Sequence, residues 1–120
     1  MPFPRQADLR AALVAQRVAT LDAIAAGERD FRRIVEASRS VATDDEHDPE
    51  GVGLAVERAL IVASLERARH RLGEGDRALE RLDSGAFGRC ADCGRAIGAE
   101  RLAVRPAAQT CIDCARGSTR

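Results

Sequence analysis

The residues with the clearest chemistry are four cysteines, Cys90-Ala91-Asp92-Cys93 and Cys111-Ile112-Asp113-Cys114, and they are the only cysteines in the 120-residue chain. Seventeen residues separate the pairs, which gives C-x2-C-x17-C-x2-C. Each pair has the reach to clamp one side of a tetrahedral cation, and the spacer is long enough to bring the second clamp opposite the first. Gly94 directly follows the first pair, where a knuckle turns backbone N–H groups toward thiolates and leaves no room for a Cβ. The spacing therefore predicts one structural Zn²⁺ held by Cys90, Cys93, Cys111 and Cys114. Two disulfides are the competing reading. The opening Met1-Pro2-Phe3-Pro4-Arg5 has no basic-then-apolar secretory pattern, which favours reduced thiols and a cytoplasmic setting. A redox CxxC on a βαβ unit is disfavoured because no alternating strand pattern precedes either pair.

The elements that must position these thiols read as helices. Hydrophobic residues make up 45% of the chain, but much of that is alanine, there is no Trp or Tyr, and the only aromatics are Phe3, Phe31 and Phe87. A broad aromatic core is excluded, so stability must come from narrow helix seams and from the metal. All 19 basic residues are Arg, balanced by 19 acids. With zero net charge no global field draws the protein to nucleic acid. No apolar run has the length of a membrane span.

From Asp8 to about Ser38 there is no Pro, and Gly27 is the one interior glycine. Val14, Arg17, Leu21, Ile24, Glu28, Phe31 and Val35 recur at spacings of 3 and 4, a helix stripe imperfect at Arg17 and Glu28. Leu54, Arg58, Ile61, Leu65, Ala68, Leu72, Gly75, Leu79 and Leu82 keep a 4-3-4-3 rhythm, the seam of a coiled coil. Glu28 with Arg32, Glu36 with Arg39, and Glu66 with Arg69 are expected to pair along their own helices. Gly73 and Gly75 read as tolerated helix glycines rather than a hinge. A short connection, Ser40 to His47, makes the helices antiparallel neighbours, each of about 30 residues and roughly 45 Å. Asp48 is placed to cap the second helix, Pro49 suits its first turn, and Gly85 its stop. The expected fold is mainly α, with a long antiparallel hairpin over residues 1–85 and a C4 zinc module with a short tail over 86–120.

Five acids, Asp44, Asp45, Glu46, Asp48 and Glu50, crowd the connection, and no Arg lies between Arg39 and Arg58. From physics alone this is either a solvated loop with a helix cap or a concentrated charge at the far end of the hairpin. His47 among the acids reads as an ordinary exposed loop residue, and the spacing of a calcium loop is absent.

Together the long hairpin, the acidic tip and the cysteine spacing resemble the DksA/TraR family of bacterial transcription regulators. The similarity is carried by Phe87-Gly88-Arg89-Cys90-Ala91-Asp92-Cys93-Gly94, Ile97-Gly98-Ala99-Glu100-Arg101-Leu102, Arg105-Pro106 and Cys111-Ile112-Asp113-Cys114. The string from Asp44 to Gly51 resembles the tip of actinobacterial members. The resemblance implies a protein that binds RNA polymerase without promoter DNA. The zinc module and hairpin base would dock at the rim of the secondary channel, and the acids of the tip would approach the catalytic centre to tune open-complex stability. Departures are specific. The tip motif D-x-x-D-x-A anchored on Asp48 meets Gly51 and Gly53, and anchored on Asp45 and Asp48 it meets Glu50 in place of the alanine. Ala115 stands where a basic residue implicated in ppGpp binding often follows the last cysteine, so the sequence does not predict a ppGpp response.

Two other functions are weighed. As a DNA-binding zinc module, or one that binds another protein directly, residues 88–120 bring six Arg against Asp92, Glu100 and Asp113. Four thiolates on Zn²⁺ leave only about +1, too little for strong counterion release, and no aromatic there offers base stacking. Sequence-specific DNA binding is not expected. An enzyme is disfavoured because four cysteine ligands close the metal to water. No nucleophile–base pair accompanies the cysteines, and His70 reads as a solvent-facing helix residue.

Overall fold

The computed structural model describes residues 6–41 and 49–117, with the side chains of residues 41, 49 and 50 left aside. Among the described residues four helices follow in order: α1 (Gln6–Val41), α2 (Pro49–Ser84), α3 (Ala99–Val104) and α4 (Ile112–Ala115). No strand occurs among them, only one isolated antiparallel bridge between Arg89 and Ala96. Pro49 opens α2, where its fixed φ and missing N–H cost nothing. The expected cap at Asp48, and the acids Asp44, Asp45 and Glu46, lie outside the described residues.

The end of α2 is built as a Schellman stop. Gly85 has φ +81°, the Gly85 N–H donates to Leu82 O at 3.4 Å, and the Ala86 N–H donates back to Arg81 O at 2.9 Å. Arg81 also donates to the carbonyls of Ala86 (3.2 Å) and Arg89. The turn into the cysteine module is thereby tied to the last turn of the helix.

Two compact units divide the chain, residues 1–18 with 72–120, and residues 19–71. In the first, Leu9 and Leu13 of α1 meet Ala78 and Leu82 of α2 and Ala107 of the module. Ion pairs fix the direction: Arg10 pairs with Asp83, and Arg17 with Asp76 at 2.8 Å. As numbers rise along α1 they fall along α2, so the helices run antiparallel. In the second unit Thr20, Ile34, Leu65 and Ala68 are buried, and Arg69 of α2 pairs with Glu28 of α1 at 2.9 Å.

The α2 seam sits where its heptads place it: Leu65, Ala68, Gly75 and Leu82 are buried, and Leu54, Ile61, Leu72 and Leu79 half-buried, with Arg58 exposed. One addition is Ala78, which is buried. The α1 stripe needs correction by one residue in its first half, where Val14, Arg17 and Leu21 are exposed. In its second half Ile24, Glu28, Phe31 and Val35 are half-buried as expected. Its buried line is Leu9, Leu13, Thr20 and Ile34, with Gln16 and Gly27 half-buried between them, whereas Val14 is 46% exposed and Leu21 40%. Apolar counting passes over a seam made partly of Gln, Thr and Gly.

Gly27 explains why a side chain is missing there. A Cβ at this position would lie 2.8 Å from Leu65 Cδ2, inside the contact distance of two carbons. A Cβ at Gly75 would meet nothing, and at Gly73 only the flexible Arg77 guanidinium, in keeping with tolerated helix glycines. A second correction concerns charge. Glu36 and Arg39 pair along α1 at 3.2 Å, but Glu28 and Arg69 reach across to each other instead of to Arg32 and Glu66.

Candidate metal centre

The thiols are assembled by two short knuckles. In the first, the Cys90 N–H donates to Arg95 O (2.7 Å) and the Gly94 N–H donates back to Cys90 O (2.9 Å). That tight turn needs φ +77° at Gly94, a conformation glycine adopts without the Cβ penalty. A Cβ there would meet nothing within 4 Å, so backbone conformation selects glycine and the expected lack of room does not. The Asp92 N–H points at Cys90 Sγ at 3.4 Å. In the second knuckle Cys111 precedes α4, whose turn closes through the Ala115 N–H on Cys111 O (2.9 Å) and the Gly117 N–H on Cys114 O (3.0 Å). The Ala91 N–H donates to Gln109 O at 2.8 Å, which binds one knuckle to the segment of chain leading into the other.

All four Sγ atoms consequently lie within 4.8 Å of one another, with Cys93 and Cys111 at 3.8 Å. With Zn–S bonds of about 2.3 Å, a tetrahedron sets thiolates about 3.8 Å apart, so the donor set fits Zn²⁺. None of the four is in a disulfide. Cys90 and Cys111 are buried, Cys114 half-buried and Cys93 exposed.

Around the sulfurs is a small apolar shell of Ile97, Leu102 and Ala108, against which Phe87 packs. Phe87 also packs against the cluster of Leu9, Leu13, Ala78, Leu82 and Ala107, so one ring seats the module on the helix ends within its unit. Arg101 Nε donates to Thr110 O at 2.9 Å, holding α3 against the approach to Cys111. In the sequence Ile97, Arg101 and Leu102 stand out only as accompaniments of the cysteines. Ala107, Ala108 and Arg81 carry no signal there, since buried alanines and a carbonyl-bracing arginine have no spacing to read.

The electrostatics of the cluster call for a cation. Burial pushes the Cys90 thiol up, but the backbone N–H groups of Cys111, Cys93 and Asp92 favour its thiolate and bring it down to about 6. Cys114 goes the other way, pushed up to about 12 by the neighbouring Cys111 and Cys90 sulfurs and by desolvation. At Cys93 the Arg95 N–H pulls down, yet desolvation and the Cys90 and Cys111 sulfurs raise it on balance. Four thiolates this close repel one another, and a divalent ion removes that conflict. The cluster is a structural zinc site of one Zn²⁺.

Of the other predicted site residues, Glu50 falls in the first turn of α2. His70 is exposed. No helix among the described residues is long and apolar enough to cross a membrane.

Fold and site define a class: a helical hairpin protein carrying a four-cysteine zinc module. Residues 85–120 match the prokaryotic dksA/traR C4-type zinc finger. The chain belongs to the DksA/TraR family. It is 37% identical over 87 residues to an RNA polymerase-binding transcription factor DksA from Haemophilus influenzae, covering 68% of this chain and 60% of the relative. It is 31% identical over 99 residues to the protein of that description from Escherichia coli, covering 70% and 66%. The chain thus spans somewhat under two thirds of the length of these relatives. The solved structure of transcription factor DksA2 from Pseudomonas aeruginosa superposes with a TM-score of 0.74 at 27% identity, over 94% of this chain and 81% of that one.

Proposed function

We propose that this chain binds RNA polymerase and regulates transcription from the secondary channel, in the cytoplasm. Residues 86–120, with Cys90, Cys93, Cys111 and Cys114 as zinc ligands, and the hairpin base form the docking part. The hairpin of residues 1–85 carries Asp44, Asp45, Glu46, Asp48 and Glu50 toward the catalytic centre. The observation that carries this reading is a likeness extending over 94% of the chain to a solved transcription factor, well beyond the zinc module alone. It joins curated relatives described as RNA polymerase-binding factors.

Physical chemistry supports the same division. Four thiolate ligands leave no open position for water, so the metal organises structure and no reaction is assigned to it. The module's near-neutral charge gives little affinity for DNA, and no ppGpp response is proposed. The acids supply field rather than contact area, so they act on the partner's charge balance more than on adhesion.

Pull-down of core RNA polymerase without promoter DNA tests the first half, with recovery expected. For the second half, Asp45→Asn with Asp48→Asn removes two charges, while the amide side chain introduced at position 48 is still a competent helix cap. Polymerase affinity should stay within about threefold, and any effect on a promoter with a short-lived open complex should vanish. A double variant that regulates like the parent would reduce the acids to a solvated turn.

A further inference from the structure

The amino-terminal half of α2 is apolar on two opposite sides. At 100° per residue, Leu54, Ile61 and Leu65 define the seam toward α1, and Val52, Val56 and Leu60 fall on the reverse side. The exposures agree: Leu65 is buried, whereas Val52, Val56 and Leu60 are 67%, 56% and 65% exposed. Between Gly51 and Leu65 the only charges are Glu57 and Arg58, while the next 18 residues, Glu66 to Asp83, hold ten acids and arginines. Farther along α2 the outward face is therefore charged in the ordinary way. Here it is not.

The fold does not need these side chains. Valine is a poorer helix former than the Arg and Glu that fill the outward positions elsewhere in α2, and an exposed valine adds nothing to the seam. A face of this kind calls for a cover. Three side chains offer roughly 300 Å², the lower end of the largest apolar patches on monomers. That is well short of the about 800 Å² per partner of a self-standing interface. A second copy held by this stripe alone would be too weakly bound. The stripe fits instead as one part of a larger contact with a partner held elsewhere on the chain.

We propose that Val52, Val56 and Leu60 form an adhesive stripe that packs on an apolar wall of a protein partner. Resting on the function proposed above, that partner is RNA polymerase. The stripe begins two residues after Glu50, so it continues the acidic segment along the chain. Adhesion and charge are then separate devices in neighbouring residues. The wall it meets is of aliphatic or aromatic side chains without a charge facing the stripe, since burying an unpaired charge there would cost more than the contact returns.

The test is a titration of core RNA polymerase with the zinc-loaded full chain, its Val52→Ser, Val56→Ser, Leu60→Ser triple variant, and the Asp45→Asn, Asp48→Asn double variant. Sedimentation of each protein alone and its helicity are measured alongside. The triple variant should bind at least about tenfold more weakly while the double variant binds as the parent does, with all three monomeric. If the triple variant loses helicity, Leu60→Gln alone replaces it, with at least about a threefold loss expected. Equal binding by parent and stripe variant overturns the stripe and leaves polymerase binding standing. Self-association of the parent that the stripe changes abolish also overturns it, because the cover is then a second copy. No binding by the parent overturns the function proposed above, a distinct outcome.

Discussion

The two compact units keep their structure by different means. In residues 1–18 with 72–120, two clusters of buried side chains share Phe87, and four thiols converge within 4.8 Å beside them. Residues 19–71 have no such centre among their described residues, since a narrow line of Thr20, Ile34, Leu65 and Ala68 is buried and Gly27 lets Leu65 come close. One region is organised by coordination and by chain turns that aim backbone N–H groups at sulfur. The other is organised by heptad spacing and gains only what a narrow seam can bury. The lesson is that loss of metal and loss of a seam residue should damage different parts of the molecule.

Removing the metal gives the largest expected effect. Structural Zn²⁺ contributes on the order of 10–16 kcal/mol to small modules at neutral pH, and the shell of Ile97, Leu102 and Ala108 is too small to replace it. Cys90→Ser, Cys114→Ser or chelation should unfold residues 86–114 while residues 19–71 stay helical. Hydrogen exchange read segment by segment checks this, and equal loss of protection in both units would break the comparison.

The protonation of the apo cluster sharpens the same point. At neutral pH Cys90, down at about 6, is already a thiolate. Cys114, up at about 12, and the raised Cys93 still hold their protons. Zinc needs all of them as thiolates, so binding must expel at least the protons of Cys93 and Cys114. Affinity therefore rises with pH through neutrality, because Cys93 and Cys114 must give up protons there. It falls more steeply in acid, where below about 6 Cys90 takes up a proton as well. Calorimetry in buffers of different ionisation enthalpy should count the protons of both Cys93 and Cys114 among those released at neutral pH, and a count near zero would contradict the geometry of the cluster.

Seam changes come next. Leu13→Ala removes a fully buried side chain and should cost about 2–5 kcal/mol. Val14→Ala, on the stripe expected from apolar counting, should cost under about 1 kcal/mol. Reversed values in thermal or denaturant melts would restore that stripe. Leu65 and Gly27 should be coupled: Gly27→Ala strains the parent against Leu65 Cδ2, but in a Leu65→Ala background it should stabilise by up to about 1 kcal/mol through helix propensity.

The smallest effect belongs to the exposed charges. Arg69→Ala breaks the cross-helix pair with Glu28, whose side chains are both about half exposed. It should cost under about 0.5 kcal/mol and less in high salt. A larger loss would mean that the second unit depends on ion pairs as well as on its seam.

These outcomes also mark what the sequence could disclose. The zinc cluster is legible because CxxC pairs constrain geometry through covalent proximity, and Gly85 and Pro49 mark ends through backbone conformation. The α2 seam is legible because leucines repeat along it. The α1 register is not, because Gln16, Thr20 and Gly27 occupy seam positions while Val14 and Leu21 face outward. Hydrophobicity alone ranks those residues the wrong way round. Partner choice among charges is equally hidden, since Glu28 has arginines within reach on both helices and only packing decides. The apolar outer stripe of α2 is hidden too, because composition does not distinguish a second apolar face from a wide first one.

The central claim, that a metal-built module presents this chain to RNA polymerase, is tested most directly by a binding titration of labelled zinc-loaded protein against core RNA polymerase, beside Cys114→Ser and a duplex DNA control. Saturable binding by the loaded protein without DNA, lost in Cys114→Ser while hairpin helicity persists, is the result predicted. Binding that is absent for the loaded protein, unchanged by Cys114→Ser, or displayed instead toward duplex DNA with a steep salt dependence, would contradict it.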